Sequence, residues 1–294
     1  MQTLEALQKK IQSAEDLHSV VRTMKSLAAV NIRHYEKAVE SVENYYRSVE
    51  LGFQVVLNKG PVELLPATAP ASGALCAVVY GSDQGLTGGF NERIASHAAE
   101  ALDAEQNGRE DLIICIGARV YNLMKDQGRS AEKLFPVPGS LRGVTPILGE
   151  IVMLLNTWQE EGKIGRITLF HNSVISRAAY EPQTVHLLPL GREWFEKTAK
   201  EEWPCRNIPT FTMDRSKLFS SLIRQFIFVS LYRAYAQSMA SENASRLASM
   251  QAAEKNINER LEELRAKFRQ QRQDAITSEL LDIISGFEAL QQGR

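Results

Sequence analysis

The chain has 294 residues, enough for one large domain or two ordinary ones around a sizeable core. Its hydrophobic share of 44% and charged share of 23% are those of a globular protein, and no run approaches the roughly 18 to 20 apolar residues that cross a bilayer. A net charge of −1 gives no electrostatic reason to expect nucleic acid or an anionic membrane surface as a partner.

The opening MQTLEALQKKIQSAEDL has no apolar segment of the secretory-signal kind. The first Gly is Gly52 and the first Pro is Pro61, so a long stretch carries no helix breaker. Within it Leu7, Ala14, Val21, Ala28, Tyr35, Val42 and Val49 repeat every seven residues. A companion seam runs Leu4, Ile11, His18, Lys25, Ile32, Val39, Tyr46. Two seams sustained this long predict a coiled-coil helix, with Thr3 as its N-cap. His18 and Lys25 break the second seam, and the neighbouring Leu17 and Met24 are expected to substitute for them.

The middle of the chain reads differently. ALCAVVY (74–80) and DLIICIG (111–117) are apolar, β-branched runs of the buried-strand type. Helical patterns follow each, opening at Asn91 and near Ala118. Thr145 and Pro146 suit the N-cap and first position of a third helix. RITLFHNSV (166–174) and YEPQTVHLLPL (180–190) read as two further strands joined near SRAA, with Pro182 suited to an edge. This order predicts an α/β piece with a mainly parallel sheet and an added edge strand.

No catalytic constellation emerges from this segment. GSDQGLTGGFN (81–91) follows a strand and opens a helix, where a phosphate-binding loop sits. It has neither the GxxxxGK[ST] nor the GxGxxG spacing, and no Lys or Arg from Gly81 through Glu92, so it reads as a tight turn. Asp83 stands at a strand end, a place α/β enzymes use, but alone it is a turn former. His18, His34, His97, His171 and His186 form no metal pattern, and there is no GxSxG elbow. Cys76, Cys115 and Cys205 are scattered without CxxC spacing and read as reduced core thiols of an intracellular protein. No cofactor is expected.

From Pro209 to Gly286 there is again neither Gly nor Pro. Leu222, Val229, Ala236, Asn243, Met250, Ile257 and Leu264 form one seam. Phe226, Ala240, Leu247, Leu261 and Phe268 follow it, interrupted at Arg233 and Glu254. Asp214 is the expected N-cap, and Glu263 with Lys267 an expected i,i+4 ion pair. Such helices measure roughly 70 to 75 Å and roughly 105 Å at 1.5 Å per residue, so at least one end is expected to project beyond a globular body. Joined by a compact domain, the two must pair antiparallel. Taken alone, this layout describes a structural spacer or dimerisation stalk.

Three phrases, in order, resemble the gamma subunit of F-type ATP synthases. KIQSAEDLHSVVRTMKSLAAVNIR (10–33) matches at Lys10, Ile11, Ser13, Met24, Ala28, Ala29 and Arg33. VVYGSDQGLTGGFN (78–91) resembles the family's strand and turn ending in SDRGLCGGLN. ASENASRLASMQAAEKNI and RQDAITSELLDIISGFEAL, within 240–290, resemble its C-terminal helix. The resemblance implies an antiparallel coiled coil of the N- and C-terminal helices (1–58 and 211–290) with an inserted, Rossmann-like α/β domain at 73–195. It implies a non-catalytic rotor shaft carrying torque between an ion-driven membrane ring and a catalytic head. The implied partners are the alpha and beta subunits, the epsilon subunit and the c-ring. The implied location is peripheral, on the cytoplasmic face of an energy-coupling membrane, a bacterial or archaeal plasma membrane.

Carried over residue by residue, Met24 and Arg33 would face moving loops of the beta subunit. Arg246, Met250 and Gln251 would lie on the C-terminal helix near the same level. Arg272, Gln273, Thr277 and Glu279 would be upper-shaft contacts involved in coupling. Thr87 stands where the family usually has Cys and Gln84 where it has Arg. Asn31, His34 and Tyr35 occupy positions where Lys and Arg are common. These departures point to a divergent member, from an alternative synthase. A free-standing coiled-coil adaptor is the competing reading, and a nucleotide-using α/β enzyme with helical arms a third.

Overall fold

A computed structural model describes residues 3–57, 73–104, 111–176, 179–204, 207 and 209–292. Eleven elements follow one another among these residues. They are α1 (Leu4–Leu57), β1 (Ala74–Tyr80), α2 (Phe90–Ala104), β2 (Leu112–Ile116), α3 (Ala118–Asp126), β3 (Lys133–Phe135), α4 (Leu141–Glu160), β4 (Ile164–Ser176), β5 (Ala179–Leu188), α5 (Arg192–Lys200) and α6 (Arg215–Gln292). Two compact units result: residues 1–27 with 247–294, and residues 28–246. The first and last helices contribute to both.

In the first unit, α1 and α6 pair antiparallel, Glu15 with Arg265 and Lys25 with Glu254. Leu7, Val21, Met250, Leu261 and Leu264, all from the seven-residue seams, form its buried line. Thr3 caps α1, its Oγ accepting from the Ala6 N–H at 3.3 Å. The companion seam differs from expectation at its breaks. Leu17 remains 53% exposed, and Met24 is half-buried. His18 and Lys25 keep their seam positions and turn to Glu254, itself an interruption of the opposite seam. A charge on each side of one break satisfies both, so no apolar substitute is needed. Glu263 pairs with Arg260 at 2.6 Å and i,i+3, where Lys267 was expected.

The second unit is built on a five-stranded sheet of order β3-β2-β1-β4-β5. β1 pairs parallel with β2 and β4, β2 parallel with β3, and β4 antiparallel with the edge strand β5, which carries Pro182. Side chains alternate between two cores, as a sheet covered on both faces requires. Cys76, Val78, Tyr80, Ile114, Ile116 and Leu169 belong to the core shared with α1, α4, α5 and α6. Leu75, Ala77, Val79, Ile113, Cys115 and Phe170 belong to the core under α2 and α3. Cys76 and Cys115 are buried free thiols, and burial pushes the Cys115 thiol up to about 12, so neither is reactive. Cys205, Arg177 and Ala178 lie outside the described residues.

Here too α1 and α6 run antiparallel. Tyr46 packs on Phe226 at 5.5 Å between ring centres, the planes tilted by 46°, and Phe53 meets Phe219 at 5.7 Å. Arg233, the other seam interruption on α6, reaches Glu43 at 3.1 Å and lies over the Tyr46 ring. Asp214 caps α6, its carboxylate accepting from the Ser216 and Lys217 N–H groups at 3.0 and 3.2 Å. The expected start of α4 at Thr145 is corrected: the helix opens at Leu141, with Pro146 inside it. Val144 and Leu148 are both buried on its core side, so apolar periodicity extends upstream and overrides the proline signal. β3 and α5 carry too short a pattern to stand out in the sequence.

Candidate functional site

In doubly wound sheets, ligands bind in the crevice at the carboxyl ends of strands, where strand order reverses. That position here is the loop after β1, residues 81–89. The loop is tied down from within. Asn91 accepts the Ser82 N–H at 2.9 Å and donates to Ser82 Oγ at 2.8 Å. Asp83 spends both carboxylate oxygens on backbone: Oδ1 accepts from the Ala118 N–H, opening α3, and Oδ2 from the Val137 N–H, both at 2.8 Å. Gly117 has φ +116°, and a Cβ there would lie 2.8 Å from the Gly81 and Ser82 backbone, so the loops after β1 and β2 touch main chain to main chain.

The crevice is then covered by the chain's own α6. Ser245 Oγ donates to the Thr87 carbonyl at 2.6 Å, and the single proton of Ser241 Oγ is shared between the Asn172 carbonyl on β4 at 3.1 Å and the Gln237 carbonyl of its own helix at 2.9 Å. Tyr80 OH donates to the Leu231 carbonyl and Tyr235 OH to the Pro138 carbonyl, each at 2.9 Å. Helix segment 230–246 is therefore a dock onto the sheet, and the space a nucleotide would need is filled by helix. Among the described residues, no group of three or more His, Cys, Asp or Glu is placed to hold a metal.

Within that segment Glu242 and Arg246 form an i,i+4 pair at 2.6 Å, both buried. Burial pushes the Glu242 carboxyl above its usual range, and the Arg246 guanidinium opposes that rise. Glu242 Oε2 and Arg246 Nε have no hydrogen-bond partner among the described residues. Arg246, one of the expected partner contacts, is thus 8% exposed and held by its own helix. Sequence reasoning missed the pair, although its i,i+4 spacing inside SENASR was the available signal.

The remaining expected contacts are distributed unevenly. Met250 is buried in the first unit and Met24 half-buried. Arg33, Gln251, Arg272, Gln273, Thr277 and Glu279 are exposed. Around the last four stand Ile276, Leu280, Leu281, Ile283 and Ile284, each about half exposed or more. On α1, Leu17, Val20 and Leu27 are equally open, and with Met24 they recur at intervals of three and four residues. This second apolar stripe, additional to the coiled-coil seams, could have been read from the sequence. Exposed apolar surface on this scale marks a surface that a partner covers.

A family model described as ATP synthase matches residues 3–290. ATP synthase gamma chains resemble the sequence end to end. That of Salinibacter ruber is 29% identical, covering 99% of each chain, and that of Pelagibacter ubique 27% identical, covering 99% of this chain and all of the relative. The chain belongs to the ATP synthase gamma-subunit family. The same fold occurs in a chain of the Euglena gracilis mitochondrial ATP synthase, solved as an OSCP/F1/c-ring assembly, with a TM-score of 0.66 at 15% identity over 99% of this chain and 95% of that one. Gamma subunits are non-catalytic central-stalk parts of a membrane-associated complex, and that role is this chain's. No helix among the described residues is long and apolar enough to cross a membrane.

Proposed function

We propose that the terminal helices transmit torque by bearing on the alpha and beta subunits of a catalytic head, while the α/β part engages epsilon and the c-ring. The observation that carries this reading is the exposed apolar surface on α1 and α6, interleaved with Arg272, Gln273, Thr277 and Glu279. A helix that leaves Ile276, Leu280 and Ile283 in water gains by entering a sleeve. In coupling terms, each rotational state makes different contacts with each beta subunit, and that difference biases the catalytic sites. The division into 1–58, 73–195 and 211–290 assigns the bearing role to the terminal segments and the anchoring role to the insert. We place the complex at the cytoplasmic face of a bacterial or archaeal plasma membrane, as part of an alternative synthase.

The test is co-expression with alpha and beta subunits, followed by size-exclusion chromatography and an ATPase assay. Co-elution is expected, with hydrolysis that falls when Arg272, Gln273 or Glu279 is replaced by Ala. These exposed positions separate contact from folding, which Arg246 does not. A chain that elutes alone as a discrete dimer and leaves hexamer activity unchanged would support the adaptor reading instead.

A further inference from the structure

A cavity separate from the strand-end loop lies wholly within the unit formed by residues 28–246. It measures about 290 Å³ and is bounded by α1, β4, β5, α5 and α6. Its apolar walls include Tyr46, Leu187, Trp194 and Phe226, the last two with ring centres 5.5 Å apart. Arg233 and Ser230, one above the other on α6, supply polar groups. Among the described residues, no Asp or Glu lines it.

Among the described lining residues only Arg233 carries a permanent charge, with the Glu43 and Glu50 carboxylates near it but outside the lining. Arg233 is permanently cationic. Its ion partner Glu43 lies outside the lining with its side chain 52% exposed, so water screens that pair, and a carboxylate can take at most part of a five-donor guanidinium. The guanidinium is held in place over the Tyr46 ring, 5.2 Å from its centre. His171, also lining the cavity, is 2% exposed, and burial lowers its pKa to about 4, so it adds no charge at neutral pH. Ser230 is 7% exposed. The volume stands at the lower end of small-molecule sites, and a wall of aromatic faces and edges with one fixed cation matches a small aromatic, singly charged anion. A nucleotide is excluded, being too large and bearing several charges against one arginine.

We infer that this cavity is a binding site for a small aromatic carboxylate, its ring against the packed rings of Trp194, Phe226 and Tyr46 and its carboxylate on Arg233. The reading is independent of the shaft role, since it uses none of the proposed bearing residues.

The test is isothermal titration of the full chain with 2-naphthoate and, separately, with uncharged 2-naphthalenemethanol. Saturable one-to-one binding of the acid is expected, weakened by about tenfold or more for the alcohol and in Arg233→Gln, the effect of losing a charge-assisted hydrogen bond. Ser230→Phe, which fills the cavity without altering its charge, should abolish binding. Circular dichroism checks that each variant is folded, and the comparison of acid with alcohol on the unaltered chain needs no variant. Absent saturation, equal binding of acid and alcohol, or undiminished binding in folded Ser230→Phe would overturn the assignment.

Discussion

Lys25 on α1 and Glu254 on α6 each break an apolar seam, and each is the other's ion partner. His18 approaches the same carboxylate at 3.9 Å, so two breaks on one helix converge on a single break on the other. The Lys25 hydrogen bond is the main reason the Glu254 carboxyl is held below its usual range. A depressed carboxylate stabilises the native state above its unfolded pKa and loses that contribution as pH falls through the folded value. Glu254→Gln should therefore melt below the unaltered chain at pH 7, with the gap closing as pH drops below about 4. Lys25→Met combined with Glu254→Leu should recover more of the midpoint than either change alone. Thermal melts followed by circular dichroism check both outcomes.

Arg246 and Glu242 make a harder demand, because both are buried. Removing one partner leaves an uncompensated charge, so Arg246→Met should cost about 3 to 5 kcal/mol. Replacing both, as Glu242→Leu with Arg246→Met, should return stability to within about 2 kcal/mol of the unaltered chain. Urea unfolding of the four proteins measures the cycle. If Arg246→Met costs less than about 1 kcal/mol, the arginine is free to serve as a partner contact.

Asp83 tests the strand-end loop. Asp83→Ala removes the acceptor for the Ala118 and Val137 N–H groups and should cost about 1 to 2 kcal/mol, as a lost N-cap does. Because both carboxylate oxygens are already engaged, no saturable ATP binding is expected at millimolar nucleotide, in variant or parent. Equilibrium dialysis with ATP settles that point, and saturable binding lost in Asp83→Ala would revive the enzyme reading.

His171 gives a pH dependence of definite sign. Burial holds it neutral, with a folded pKa of about 4 against an ordinary value near 6.5. Between these values the unfolded chain binds the extra proton, so stability is full above about pH 6.5 and declines towards pH 4, by about 3 kcal/mol from this group. His171→Gln should flatten that part of the stability curve. Urea midpoints of the two proteins from pH 7 to pH 4 give the comparison, and parallel curves would refute the assignment.

Much of the architecture was legible because it is periodic. The seven-residue line from Leu7 to Val49 is buried almost throughout, and the β-branched runs at 74–80 and 111–117 hold β1 (74–80) and β2 (112–116). Turn chemistry was equally readable: Thr3 and Asp214 cap the helices they precede. What escaped depends on distance in space. Nothing near Glu254 in sequence announces Lys25, and nothing near Arg233 announces Glu43, so seam breaks looked like defects when they are pairs. Arg246 likewise reads as a surface residue until the helix is seen to lie against the strand ends. The dock and the aromatic cavity are products of packing, and no local pattern encodes either.

The hydrogen bonds from Ser241 and Ser245 end on main-chain carbonyls, those of Asn172 and Thr87. Every residue type offers that acceptor, so side chains on the sheet side can be exchanged without losing the attachment, whereas the donors on α6 cannot. For this attachment alone the demand is lopsided: the helix must keep its hydroxyls, while the sheet side need only present peptide groups. Position 87 is held twice over: the helix grips its peptide group, and its buried hydroxyl accepts from Asn91 Nδ2 at 3.4 Å.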